Sequence, residues 1–248
     1  MQIWISGAAG RMGRAVAAQA AEENVSVCGG VDRAMAALPF PCYPSFDEAP
    51  VGGDVIIDFS QPSALSSVLR YTCRNRLPLV LATTGYSAEQ QAEIQRAAAQ
   101  VPVFQSANMS IGVAVLRKLA RQAAQLLGES FDIEIVEVHH NKKADAPSGT
   151  ALMLLKAVCD TGATEKQPVY GRSGRHLRTP DEIGVHALRG GTVAGEHQVY
   201  FFGPSERIVL SHSAEQRSVF AVGALRAAAF LLGKAPGLYD MDDLLAEG

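Results

Sequence analysis

Residues 137 to 150 read Glu137-Val138-His139-His140-Asn141-Lys142-Lys143-Ala144-Asp145-Ala146-Pro147-Ser148-Gly149-Thr150. Two histidines can exchange protons near neutral pH, and two lysines supply cations that become stronger acids when water is withdrawn from them. The segment lies between an apolar β-like run and an apolar helix-like run, the kind of loop on which folds place their chemistry. Any one of these residues alone fits a solvated loop; together they point to a functional site. A metal centre is not expected, because adjacent histidines on a strand end face opposite sides and two nearby lysines oppose a cation.

A second chemical signal stands at the N-terminus. Gly7-Ala8-Ala9-Gly10-Arg11-Met12-Gly13 separates a strand-like run from a helix-like run. In that context glycines allow a tight turn and let backbone N–H groups at a helix start approach a pyrophosphate. Asp32, at the end of the next strand-like run, is placed to accept hydrogen bonds from a ribose, and Arg33 beside it to attract a 2′-phosphate. Thr83-Thr84-Gly85 and Ser106-Ala107-Asn108-Met109 fall at the ends of two further strand-like runs, where open α/β sheets hold ligands. Capping of the following helices accounts for Ser106 and Ser110 equally well.

The elements that must position these residues follow a simple rhythm. Strands are expected at Gln2 to Ser6, Val25 to Val31, Asp54 to Phe59, Leu79 to Thr83 and Val101 to Gln105. Helices are expected between them at Met12 to Glu22, Ser63 to Arg74 and Ala88 to Ala99. Such alternation predicts a parallel sheet covered on both faces. From about Asn108 the rhythm changes to a long helix at Gly112 to Leu127, a strand at Phe131 to Val138, the polar loop and a helix beginning near Ala151. After a Gly/Arg-rich connector, strands at Ile183 to Arg189, His197 to Phe202 and Arg207 to His212 follow closely. This spacing predicts a more antiparallel sheet in a second, α+β domain. A terminal helix, Arg217 to Leu232, and the tail after it fit either domain.

Composition narrows the function classes. The chain has 248 residues, 19% of them charged, and a net charge of -3, so it lacks the electrostatic footprint of a nucleic-acid binder. No apolar run approaches the ~18 residues of a membrane span, and no basic leader precedes the first strand. Cys28, Cys42, Cys73 and Cys159 are widely separated, which predicts neither a zinc site nor a disulfide framework and makes the cytoplasm the expected compartment.

Taken in order, the glycine loop, Ala82-Thr83-Thr84-Gly85, Ser106-Ala107-Asn108-Met109-Ser110 and Glu137 to Thr150 resemble the dihydrodipicolinate reductases of bacterial lysine biosynthesis. The resemblance continues through Leu188-Arg189-Gly190-Gly191, Gly195-Glu196-His197 and Pro236-Gly237-Leu238-Tyr239-Asp240-Met241. It implies reduction of a heterocyclic dicarboxylate, 4-hydroxy-tetrahydrodipicolinate, to tetrahydrodipicolinate with NADH or NADPH. It also implies a Rossmann-like α/β domain from both chain ends (1–107 and 217–248), an inserted α+β substrate and oligomerisation domain (108–216), and a homotetramer. By the same resemblance His139 is the proton donor and acceptor, Lys143 a proton donor, and His140, Gly149 and Thr150 bind substrate, with Ser148 at the same helix start. Gly7, Ala8, Ala9, Gly10, Arg11, Met12, Asp32, Arg33, Ala82, Thr83, Thr84, Ser106, Ala107, Asn108 and Met109 line the cofactor site. Asp32, where the family often has Glu, and Ala82, where Gly is common, bear on cofactor preference.

Overall fold

A computed structural model describes residues 1–34, 37–161 and 166–247. It divides into two compact units, Met1–Ile111 with Arg217–Gly248, and Gly112–Gln216.

The first unit is built on a seven-stranded sheet. Its strands are β1 (Gln2–Ser6), β2 (Ser26–Val31), β3 (Cys42–Tyr43), β4 (Val55–Asp58), β5 (Leu79–Leu81), β6 (Pro102–Gln105) and, from the far end of the chain, β12 (Gly237–Tyr239). Their order is β12-β6-β5-β4-β1-β2-β3, and every pairing is parallel. Strands buried on both faces have no reason to alternate, and β1 and β4 are accordingly near-continuous apolar runs.

Helices α2 (Leu65–Asn75) and α3 (Ala88–Ala98) cover one face, packing Leu65, Val68, Ile94 and Ala97 on Trp4, Ile56, Leu79, Leu81 and Val103. Helices α1 (Arg11–Glu22) and α6 (Ser218–Leu231) pack on each other, and α6 lies against β4, β5 and β6, where Phe230 meets Phe104 edge-on. Gly223 permits this approach, since a Cβ there would stand 1.6 Å from the Met109 carbonyl oxygen. The expected parallel α/β architecture is therefore present. The tail that the sequence left unassigned joins this sheet as the edge strand β12, followed by the short helix α7 (Met241–Ala246).

The second unit has a five-stranded mixed sheet. Its strands are β7 (Asp132–His139), β8 (Gln167–Tyr170), β9 (Glu182–Arg189), β10 (Gly195–Gly203) and β11 (Glu206–Ala214), in the order β11-β10-β7-β9-β8. The chain enters it through α4 (Ile111–Leu127), and α5 (Gly149–Cys159) follows β7. Leu116 and Ala120 of α4 and Ala151, Leu154 and Val158 of α5 cover one face, against Ile133, Ile135, Ile183, Val185, Val199 and Phe201.

Two features differ from the local reading. Strand β10 does pair antiparallel with β11 and β7, but β9 pairs parallel with β7 and with β8, so β7 sits between strands that are close in sequence. Alternation along β7 buries Ile133 and Ile135 on the helix side, and a central position hydrogen-bonds both of its edges. Strand β8 lies in the expected connector; a four-residue edge strand carrying Pro168 shows no period to read.

Candidate active site

The register of the second sheet explains how a polar cluster forms inside it. On its helix-covered face, Ile133 lies beside Ile183 and Phe201, and Ile135 beside Val185 and Val199. The next row along is Glu137 with Ala187 and His197, and after it comes His139 beside Arg189. The apolar core of this unit thus passes into a row of ionisable groups without leaving the same face.

Glu137 is completely buried. Its Oε2 accepts from His139 Nδ1 at 2.5 Å and Arg189 Nη1 at 2.8 Å; its Oε1 accepts from Arg189 Nη2 at 2.7 Å and the Ser148 N–H at 2.9 Å. Burial pushes the carboxyl upward, but the Arg189, His139 and Ser148 donors outweigh it and hold Glu137 below the usual carboxylate range. An ionised carboxylate only accepts, so Nδ1 of His139 carries the hydrogen and Nε2 remains the nitrogen able to exchange a proton. Nε2 faces Gly195, where a Cβ would come within 3.0 Å of it.

The His139 ring meets His197 edge-on, with centroids 5.2 Å apart. Burial, with the His139 charge adding to it, depresses His197 to about 4, so it is neutral at pH 7. Its Nε2 lies 3.0 Å from the Ser148 hydroxyl.

The loop beyond β7 is held by its own turn and by the segment after β9. Lys143 N–H donates to the His140 carbonyl, and His140 and Asn141 N–H donate to the Val193 and Gly191 carbonyls. Lys143 Nζ pairs with Asp145 at 2.9 Å, and Arg189 Nη2 donates to the Asp145 carbonyl at 2.7 Å. His140 Nδ1 is buried without a hydrogen-bond partner among the described residues. Helix α5 begins at Gly149, two residues earlier than expected, because Ser148 is its N-cap and accepts from the Ala151 N–H at 3.2 Å. Gly149 is exposed with nothing within 4 Å of a Cβ, so the first turn of α5 is open to an anion. Thr150, partly buried, is in the same turn.

In the first unit the glycine loop stands at the carboxyl end of β1, the strand that pairs with both β2 and β4 and so marks the switch point of the sheet. Gly7 has φ +79°, and a Cβ on Gly13 would lie 2.2 Å from the Gly7 carbonyl oxygen, so the turn closes onto α1 only with glycine at both positions. Helix α1 starts at Arg11 behind Gly10, which supplies no side-chain cap. A cleft of 370 Å³ opens there, lined among others by Gly7, Gly10, Asp32, Arg33, Ser60 and Ser63. Asp32 already accepts from the Ala9 and Ala34 N–H groups, pinning the loop while leaving lone pairs for a diol, and Arg33 donates to Ser63 Oγ. An uncapped helix start, a loop that admits no Cβ and an acid at the neighbouring strand end fit a dinucleotide.

The remaining expected cofactor residues are distributed unevenly. Arg11 is exposed and Met12 and Ala9 half-buried, whereas Ala8 is fully buried beneath Gly30 with its N–H donating to the Val31 carbonyl, so it shapes the loop from beneath and offers a ligand no exposed surface. Ala82 is half-buried, Thr84 exposed, and Thr83 buried with its hydroxyl donating to Asp58 at 2.7 Å. Asp58 also receives the Ser60 hydroxyl, so one buried carboxylate ties together the loops after β4 and β5. Ser106 donates to the Asn108 carbonyl and Asn108 Oδ1 accepts from the Ser110 N–H, a tight turn ahead of α4; Ala107 is exposed and Met109 buried. Sequence reasoning passed over Asp58, Glu137, Arg189 and His197 as site residues. Glu137, Arg189 and His197 lie in the motifs that carry the resemblance, but only the strand register shows that they share a face.

Comparison with known proteins finds matches along nearly the whole chain. Residues 1–109 match the family model described as dihydrodipicolinate reductase, N-terminus, and residues 112–245 the one described as dihydrodipicolinate reductase, C-terminus. A 4-hydroxy-tetrahydrodipicolinate reductase from Caldanaerobacter subterraneus subsp. tengcongensis is 47% identical, with 100% of this chain and 99% of the relative covered. One from Clostridium tetani is 44% identical over 99% of this chain and 97% of the relative. Among solved structures, a dipicolinate-bound dihydrodipicolinate reductase from Paenisporosarcina sp. TG-14 shares the fold, with a TM-score of 0.81 at 23% identity over 97% of each chain. A DAP dehydrogenase from C. glutamicum has a TM-score of 0.59 at 14% identity over 99% of this chain and 98% of that one. With both halves matched and near-complete relatives this similar, the chain belongs to the dihydrodipicolinate reductase family.

Proposed function

We propose that this chain catalyses the NADH- or NADPH-dependent reduction of 4-hydroxy-tetrahydrodipicolinate to tetrahydrodipicolinate in lysine and diaminopimelate biosynthesis, with His139 and Lys143 handling the proton. The observation that carries the residue assignment is the buried Glu137–His139 pair at the end of β7, one turn away from Lys143 and followed by the open start of α5. When bound, the dihydronicotinamide supplies hydride to a ring carbon of the substrate. Loss of the substrate's 4-hydroxyl as water leaves a conjugated cyclic imine; the density displaced when hydride adds to that ring must collect a proton, for which Lys143, held by Asp145, is a cationic donor, and His139 Nε2 is the second group able to exchange a proton at the same centre.

Substrate carboxylates are assigned to His140, whose Nδ1 lacks a partner, and to Gly149 and Thr150 in the first turn of α5, with Ser148 capping that turn. The cofactor is assigned to the glycine loop Gly7 to Met12, Asp32, Arg33, Ala82 to Thr84 and Ser106 to Met109, which makes the first unit the dinucleotide-binding domain and the second the substrate domain. Asp32 beside Arg33 supports use of either cofactor.

The same proposal places the enzyme in the cytoplasm as a homotetramer. Four unpaired cysteines and a net charge of -3 support a reducing compartment and no nucleic-acid partner. No helix of the described residues is long and apolar enough to cross a membrane.

Turnover of the condensation product of pyruvate and aspartate semialdehyde, followed by nicotinamide absorbance, tests the reading. His139→Ala and Lys143→Ala are expected to lower kcat by about 10²–10⁴-fold, with NADH affinity by fluorescence titration unchanged. Parental kcat in both variants would defeat the assignment.

A further inference from the structure

We propose that Glu137, clamped by Arg189, is the positioning residue of this site: it sets which nitrogen of His139 carries a hydrogen and anchors the turn from which α5 starts. The proposal rests on the reading of His139 given above.

The carboxylate's two oxygens are divided between two tasks. Oε2 takes the His139 Nδ1 hydrogen, Oε1 takes the Ser148 N–H, and Arg189 bridges both oxygens with Nη1 and Nη2. Through Ser148 the same group fixes the N-cap of α5, and through the second bond of Arg189 Nη2, to the Asp145 carbonyl, it steadies the residue that pairs with Lys143. His139, the Lys143 loop and the first turn of α5 therefore share one completely buried anchor. A buried ion pair is weak evidence for stability, because an apolar pair of similar volume commonly replaces it without loss. The stronger evidence for positioning is that the His139 ring is held through Nδ1 by Glu137 and by an edge-on contact with His197.

Glutamine at 137 has one oxygen where the carboxylate has two, and each oxygen accepts two of the four bonds, so two of the donors must meet an N–H. Glu137→Gln is expected to lower kcat about 10²-fold and to raise KM for the dicarboxylate, with NADH affinity intact. The decisive measurement is the cycle with His139→Ala. If Glu137 acts through His139, Glu137→Gln costs less than about twofold in the His139→Ala background. Equal cost in both backgrounds overturns the proposal while leaving His139 its role; parental kcat in His139→Ala itself overturns the underlying reading.

Because Glu137→Gln can compromise folding, a Glu137→Met, Arg189→Met double variant removes the pair without stranding a charge. A folded double variant with reduced kcat, and with ¹⁵N histidine spectra showing His139 spread over both neutral tautomers where the parent shows Nδ1–H, supports positioning. Parental kcat, or an unchanged tautomer, shows the pair to be structural only.

Discussion

At the scale of single residues, the second unit buries charge where a sheet ordinarily buries hydrocarbon, and the consequence is sensitivity to acid. His197 is neutral when folded, with its value depressed to about 4, and titrates near 6.5 when unfolded. Its contribution is present above the unfolded value and is lost as pH falls from there towards about 4, because only the unfolded chain takes up the proton. Across that window the loss amounts to about 3 kcal/mol. Glu137, held low when folded, acts in a more acidic window: it stabilises above the unfolded carboxylate value of ~4.3 and loses that contribution as pH falls through its own lower value. Urea unfolding at stepped pH is expected to show wild-type stability declining from pH 6.5 downward, and His197→Gln flattening the part above pH 4.5. An identical slope in the two proteins would mean that His197 is protonated in the folded state.

At the scale of elements, the start of α5 combines a cap with an anion site. Ser148 caps the helix through its hydroxyl, and that hydroxyl also meets His197. Ser148→Ala is expected to cost about 1 kcal/mol of stability. Thr150→Val keeps the shape of the turn and deletes a hydroxyl, so it is expected to raise KM for the dicarboxylate several-fold with KM for NADH unmoved. A fall in melting temperature with both KM values unchanged would leave Thr150 a structural role alone. The opposite case is the glycine loop, whose chemistry is in the backbone. There a Cβ on Gly13 would lie 2.2 Å from the Gly7 carbonyl oxygen, so the helix start faces the cleft by exclusion of side chains rather than by any one of them.

At the scale of the whole molecule, helices among the described residues cover one face of the second sheet. The other face carries the stacked rings of Tyr200 and Phe202, with Leu188, Phe202 and, on β11, Val209 exposed. Monomers rarely display such apolar surface without using it, and the homotetramer proposed above would use it. Sedimentation equilibrium is expected to give a tetramer for the parent and smaller species for Tyr200→Glu, Phe202→Glu. A tetramer that survives both charges would place the contact elsewhere.

What the sequence alone determined is local. Strand-like runs alternating with helix-like runs marked β1, β4 and β5 as strands of a parallel sheet covered on both faces, glycines between strand and helix marked the dinucleotide loop, and the dense run from Glu137 to Thr150 marked the chemistry. What only the tertiary structure decided depends on partners distant in the chain. The edge strands β3, β8 and β12 are two to four residues long and acquire their conformation from the neighbour to which they hydrogen-bond. Strand β7 lies between β9 and β10 because its buried row needs pairing on both edges, which no property of residues 183–203 reveals. That placement sets Arg189 and His197, distant in the chain, beside Glu137 and His139. Residue types record which groups can ionise, and register decides which of them share a buried face.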